Sequence, residues 1–104
     1  MPTRKVRTPE IEPSAPGWTF FTNHGHVLVC IARDSTVRIS DIARMVGIGE
    51  RAAHRIVHDL IDGGYVVQTK VGRRNTYELR LDAPLRHPLE AHHRLSQVFD
   101  PLTQ

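Results

Sequence analysis

The sequence predicts a mainly α-helical domain that carries one small β-hairpin. Two patterns lead to this. The stretch Glu50–Asp62 places Ala53, Ile56, Val57, Leu60 and Ile61 at spacings of three and four, as a one-sided helix requires. The stretch "TYELRL" alternates Tyr77, Leu79 and Leu81 with Glu78 and Arg80, the period of two of a half-buried strand. At 104 residues the chain has room for a single domain with a modest core. Its 39% hydrophobic content suits a globular protein rather than wholesale disorder.

The elements follow in order. Residues 1–17 hold Pro2, Pro9, Pro13 and Pro16 among polar and charged neighbours, a composition that forms neither helix nor sheet interior and predicts a flexible tail. Arg4, Lys5 and Arg7 in it are either solvated or within reach of phosphate. The body is predicted to run over 18–83. Trp18, Phe20 and Phe21 bring three of the chain's six Trp, Tyr and Phe residues into four positions, an apolar anchor for the body or for a second subunit. Thr22 or Asn23 then caps "HGHVLVCIAR", which is apolar on nearly every side from Val27 to Ala32 and so predicts a central buried helix. Cys30 lies in that run and reads as a buried small hydrophobe.

After the loop "DST", "VRI" predicts a short extended piece. Ser40 is expected to cap a short helix "DIARMV", with Asp41 at its positive end and Gly47 as its left-handed stop. The helix 50–62 follows a tight turn plugged by Ile48 and ends at Gly63-Gly64. Strands "YVVQTKV" and "TYELRL" flank "GRRN", a hairpin tip in which Gly72 and Asn75 tolerate positive φ. Finally "LRHPLEAHHRLSQVF" predicts a terminal helix with Pro88 in its first turn and Leu89, Leu95, Val98 and Phe99 along one side. This makes 84–104 a helical dimerisation segment. With Trp18, Phe20, Phe21, Leu85 and His92, these four residues form the expected interface of a homodimer.

The centre of this order is a helix-turn-helix. Its second helix needs one face to pack and another to project polar groups into the DNA major groove. The projecting set is Glu50, Arg51, His54, Arg55 and His58, opposite the apolar face. A net charge of +3, with a pI near 9.6, permits an anionic partner. At the hairpin tip Arg73 and Arg74, with Lys70 before them and Asn75 beside them, suit a phosphate backbone or a narrow minor groove.

The motif "ISDIARMVGIGERAAHRIVHDLIDGGYVVQTKVGRRNTYEL" resembles the winged helix-turn-helix of bacterial MarR/ArsR-type transcriptional regulators. The resemblance implies a sequence-specific regulator of double-stranded DNA acting as a homodimer on a pseudo-palindromic operator. By that likeness Glu50 to Arg55 read bases, Ser40 touches phosphate, and Arg73 and Arg74 clamp the backbone. Gly49 departs from the family, which often places a capping Ser or Thr there.

Competing readings are weaker. His54 and His58, one turn apart, have no evident third metal ligand. His87, Glu90, His92 and His93 tempt as a metal or pH sensor but lack a Cys partner, so no metal or cofactor is expected. A winged helix serving as a protein-interaction module, its arginines merely solvated, is the other alternative. No exposed nucleophile with a positioned base, no phosphate loop and no paired-carboxylate cleft points to an enzyme. Without a signal segment or a bilayer-length apolar run, the expectation is a cytoplasmic protein.

Overall fold

The computed structural model describes residues 17–103; the predicted tail lies outside the described residues except for Gly17. Four helices and one hairpin follow in the order α1 (Asn23–Arg33), α2 (Ile39–Val46), α3 (Glu50–Asp62), β1 (Val66–Val71), β2 (Arg74–Leu79) and α4 (Leu95–Phe99), closed by a 3-10 turn at Pro101–Thr103. The expected class therefore stands: a three-helix body followed by a two-stranded antiparallel wing.

Helix α1 is the centre of the core. Val27, Leu28, Cys30 and Ile31 are all buried, because every other helix packs around it or beside its partners. Burial also pushes the Cys30 thiol above its ordinary value, which keeps it protonated and unreactive. The first turn accepts no side-chain cap from Thr22, although Thr22 occupies the cap position.

Helix α2 begins two residues earlier than the sequence suggests. Its cap is Arg38, and Ser40 is the second helical residue, exposed and not the cap. Ile39 joins Ile42, Ala43 and Val46 at spacings of three and four, and this apolar pattern draws Ile39 into the helix. Of the extended piece expected at "VRI", Arg38 keeps extended backbone, but Ile39 is already helical and no strand forms there. The loop expected at "DST" is a turn just before it: Asp34 Oδ1 accepts from Thr36 N at 3.0 Å and Thr36 Oγ1 at 2.9 Å, and Val37 N donates to Asp34 O. What survives of a third strand is one bond, from Tyr77 N to Ser35 O at 2.8 Å.

The hairpin is shifted relative to expectation. Gly72-Arg73 forms a two-residue turn with Gly72 at φ 63, the pattern of a II′ turn, so Arg74 already pairs with Val71. Asn75 consequently lies in the strand opposite Lys70, without positive φ, and Leu81 falls beyond β2.

The long terminal helix is absent. Residues 84–94 form a strap of turns, with Pro84 bridged to Arg94 and Leu85 N donating to His93 O at 3.0 Å. Between Leu89 and Leu95 the only apolar residue is Ala91, so a helix there would have no stripe to bury. Helix α4 begins only where Leu95 and Phe99, four apart, reach the body. It starts with the Gln97 side chain accepting from Arg94 N at 2.8 Å. Leu95 is 1% and Phe99 5% exposed. Both are consumed by the chain's own core, packed against α1, and offer nothing to a partner subunit.

Candidate nucleic-acid interface

The turn between α2 and α3 is built for close approach. Gly47 takes φ 87, and its N–H and that of Ile48 both donate to Ala43 O, at 2.8 and 3.0 Å. Ile48 is half-buried beneath it. Gly49 caps α3 by backbone only, its carbonyl accepting from Ala53 N at 3.0 Å. Ala53 is 0% exposed where α2 and α3 meet, and a larger side chain would force the helices apart.

With Ala53, Ile56, Val57 and Leu60 buried, the other face of α3 is presented outward. Glu50, Arg51, His54, Arg55 and His58 are all exposed. Arg51, His54, Arg55 and His58 share the i, i+3, i+4, i+7 flank, and the rings of His54 and His58 lie 4.7 Å apart. The acids farther along α3 are drawn elsewhere. Asp59 Oδ2 pairs with His24 Nε2 of α1 at 2.8 Å, and both Asp59 and Asp62 line a groove against the start of α1. The tie spans 35 residues of sequence.

The wing divides its predicted residues. Arg73 stands exposed at the tip, and Lys70 is exposed on β1 opposite half-buried Asn75. Arg74 is different: its Nη2 donates to Thr36 O at 2.9 Å, anchoring the hairpin to the α1–α2 loop. Arg74 therefore has a structural task that its place in "GRRN" does not reveal. The structure adds one residue that sequence reading passed over. Arg38 is exposed at the cap of α2 beside Ser40, with no ion pair among the described residues; a cation flanking a helix start was the available signal.

The expected dimer residues are spread out. Trp18 and Phe20 are 77% and 88% exposed and meet edge to face at 4.9 Å. Phe21 packs on Phe99 at 5.8 Å. Leu85 and Val98 are half-buried, while Leu89 and His92 are exposed on the strap. Among the described residues no group of three or more His, Cys, Asp and Glu side chains is placed to hold a metal ion. Among the same residues no helix is long and apolar enough to cross a membrane.

The loop anchored by Arg74 gives a pH prediction. The two bonds from Thr36, and then the Arg74 guanidinium, hold the Asp34 carboxyl below its ordinary value. A depressed carboxyl contributes stability that is present above its unfolded pKa and lost as pH falls through the lower, folded value. The loop and wing should thus be unchanged from neutral pH down to about pH 5 and loosen only in acid. In an NMR titration the Thr36 amide should move with a midpoint below the ordinary aspartate value. A midpoint at or above that value contradicts the arrangement.

A tri-helical body whose second and third helices meet at a tight turn, followed by a β-wing, defines a winged helix-turn-helix. Residues 25–70, fewer than half of the chain, match the model of the IclR helix-turn-helix domain, a helix-turn-helix of the DNA-binding, transcriptional-regulator kind. The sequence motifs resemble MarR/ArsR-type regulators; the matching family model is the IclR one, and the two agree at the level of the winged helix-turn-helix. Among solved structures, the crystal structure of the zinc-dependent MarR family transcriptional regulator AdcR in the Zn(II)-bound state is similar at 16% identity and a TM-score of 0.44. That likeness covers 62% of this chain and 46% of the AdcR chain. No curated protein matches the chain by sequence.

Proposed function

We propose that this protein is a cytoplasmic, sequence-specific regulator of transcription that reads double-stranded DNA with α3 in the major groove. The observation that carries the reading is the division of α3: four buried apolar residues behind, and Arg51, His54, Arg55 and His58 on one exposed flank. Arg51 and Arg55 suit bidentate contact with guanine, and His54 and Glu50 the neighbouring base edges. Arg73 and Lys70, with Asn75 opposite Lys70, lie on backbone or minor groove, Ser40 and Arg38 on phosphate at the start of α2, and Arg74 holds the wing in place.

Two copies are proposed to bind a pseudo-palindromic operator, their recognition helices about one DNA turn apart. Of the expected interface residues, Trp18, Phe20, Leu89 and His92 stay exposed for that pairing, whereas Phe21, Leu85 and Val98 line the groove between α1, α3 and residues 84–94. Leu95 and Phe99 are not part of the pairing surface.

Selection of bound sites from random duplex DNA tests the reading. The expected outcome is an enriched inverted repeat with half-site centres separated by about 10 base pairs. Failure to enrich any sequence would remove base reading and favour a protein-interaction role. On the enriched site, Arg73→Ala should weaken binding alike for all sequences and reduce the salt slope by about 1. An unchanged slope would take Arg73 off the backbone.

A further inference from the structure

A groove of about 850 Å³ lies between the start of α1, the end of α3 and the strap after Pro84. Ligand clefts of roughly 300–1,000 Å³ take small organic molecules. The walls here are held in advance. Tyr65 Oη donates to Pro84 O at 2.7 Å, and Leu89 N donates to His87 Nδ1 at 3.1 Å, so the strap's course is fixed by bonds of its own. On the facing wall Gly25 lets Phe21 lie against α1, since a Cβ there would come within 3.0 Å of the Phe21 Cβ. The floor is apolar, made by buried Leu28, Leu60 and Leu95.

The rim carries a sign opposite to that of the whole chain. Asp59, Asp62 and Glu90 stand against one guanidinium, Arg86. His24, His87 and Thr22 also line the groove. Asp59 is engaged by His24, whereas Asp62 and Glu90 have no ion pair among the described residues. A positively charged chain thus keeps a carboxylate-rich, aromatic-walled groove on the flank of its recognition helix.

We propose that this groove binds a small organic cation. Its apolar body lies against Phe21 and Tyr65 over the floor of Leu28, Leu60 and Leu95, and its ammonium group faces Asp62 and Glu90. Ring faces attract a cation, and the two rim carboxylates add to that attraction while repelling an anion of the same shape. Any effect of the ligand on DNA binding rests on the proposed role of α3, through Leu60 and Asp59 on that helix. Ligand binding is measured without DNA, so the two ideas fail separately.

The test is calorimetric titration of the full chain with benzyltrimethylammonium, and with benzenesulfonate as the anion of similar body, at about pH 7.5. The cation should bind saturably and the anion at least about tenfold more weakly. The double substitution Asp62→Asn with Glu90→Gln, both at exposed positions, should weaken the cation about fivefold or more. Phe21→Leu, which keeps an apolar filler but removes the ring, should also weaken it. Three results each overturn the proposal: no binding of the cation, equal or tighter binding of the sulfonate, or a carboxylate variant that binds the cation unchanged.

Discussion

Phe99→Ala should destabilise the protein by about 3–5 kcal/mol, the usual cost of removing a buried aromatic ring. For a domain of this size that lowers the melting temperature by more than about 10 °C. Phe99 is almost wholly buried, tilted against Phe21, on a helix whose other anchor, Leu95, is buried just as deeply. The loss combines the transfer free energy of the ring with a cavity beside α1 that the short helix α4 cannot collapse to fill. Leu89→Ala is the control. Leu89 is 80% exposed on the strap, and its truncation should change the stability of the single chain by no more than about 0.5 kcal/mol, any effect being confined to pairing. Urea unfolding at two protein concentrations separates the alternatives. If Phe99 served mainly as a dimer contact, Phe99→Ala would alter the concentration dependence and leave the monomer's stability nearly intact. Packing into the chain's own core instead predicts a loss at every concentration.

Arg51→Ala and Arg55→Ala should each weaken binding to the preferred operator by about 1–3 kcal/mol, roughly tenfold to a hundredfold. Binding to unrelated duplex should fall much less, so these variants lose discrimination. Neither side chain forms an ion pair among the described residues, and both are exposed, so the fold should tolerate their removal within about 0.5 kcal/mol. Competition binding against random duplex, with a melting curve for each variant, checks both halves of the expectation. Equal loss on all sequences would reassign the two arginines to phosphate contacts. The remaining acids on α3 do not oppose this role, because Asp59 is turned to His24 and Asp62 lines the groove against the start of α1.

How much of this was legible depended on whether the deciding interaction was local. Helix α3 was readable to the residue because its apolar period is clean from Ala53 to Ile61, and Gly63 ends it with a backbone bond to Asp59 O. The exposed flank of Arg51, His54, Arg55 and His58 followed from the same period. The start of α2 was misplaced because Ser40 looks like a cap, while Ile39 is claimed by packing that only the assembled core supplies. The terminal segment was misread for a related reason. Leu89 and Leu95 suggested one apolar side, yet the residues between them give a helix nothing to bury, and α4 exists because α1 receives Leu95 and Phe99. The Arg74–Thr36 bond joins residues 38 apart and the His24–Asp59 pair residues 35 apart. No periodicity or short motif encodes such pairs, so an anchoring arginine in "GRRN" looked the same as a free one.

The central claim is that α3 reads bases while the wing tip holds the backbone. The direct measurement is the affinity of wild type, the Arg51→Ala/Arg55→Ala pair and Arg73→Ala for the selected operator and for random duplex, across a salt series. The account predicts that the α3 variant loses most of the difference between the two duplexes, whereas Arg73→Ala keeps that difference and loses affinity on both with a shallower salt slope. An α3 variant that still prefers the operator as strongly as wild type would contradict it.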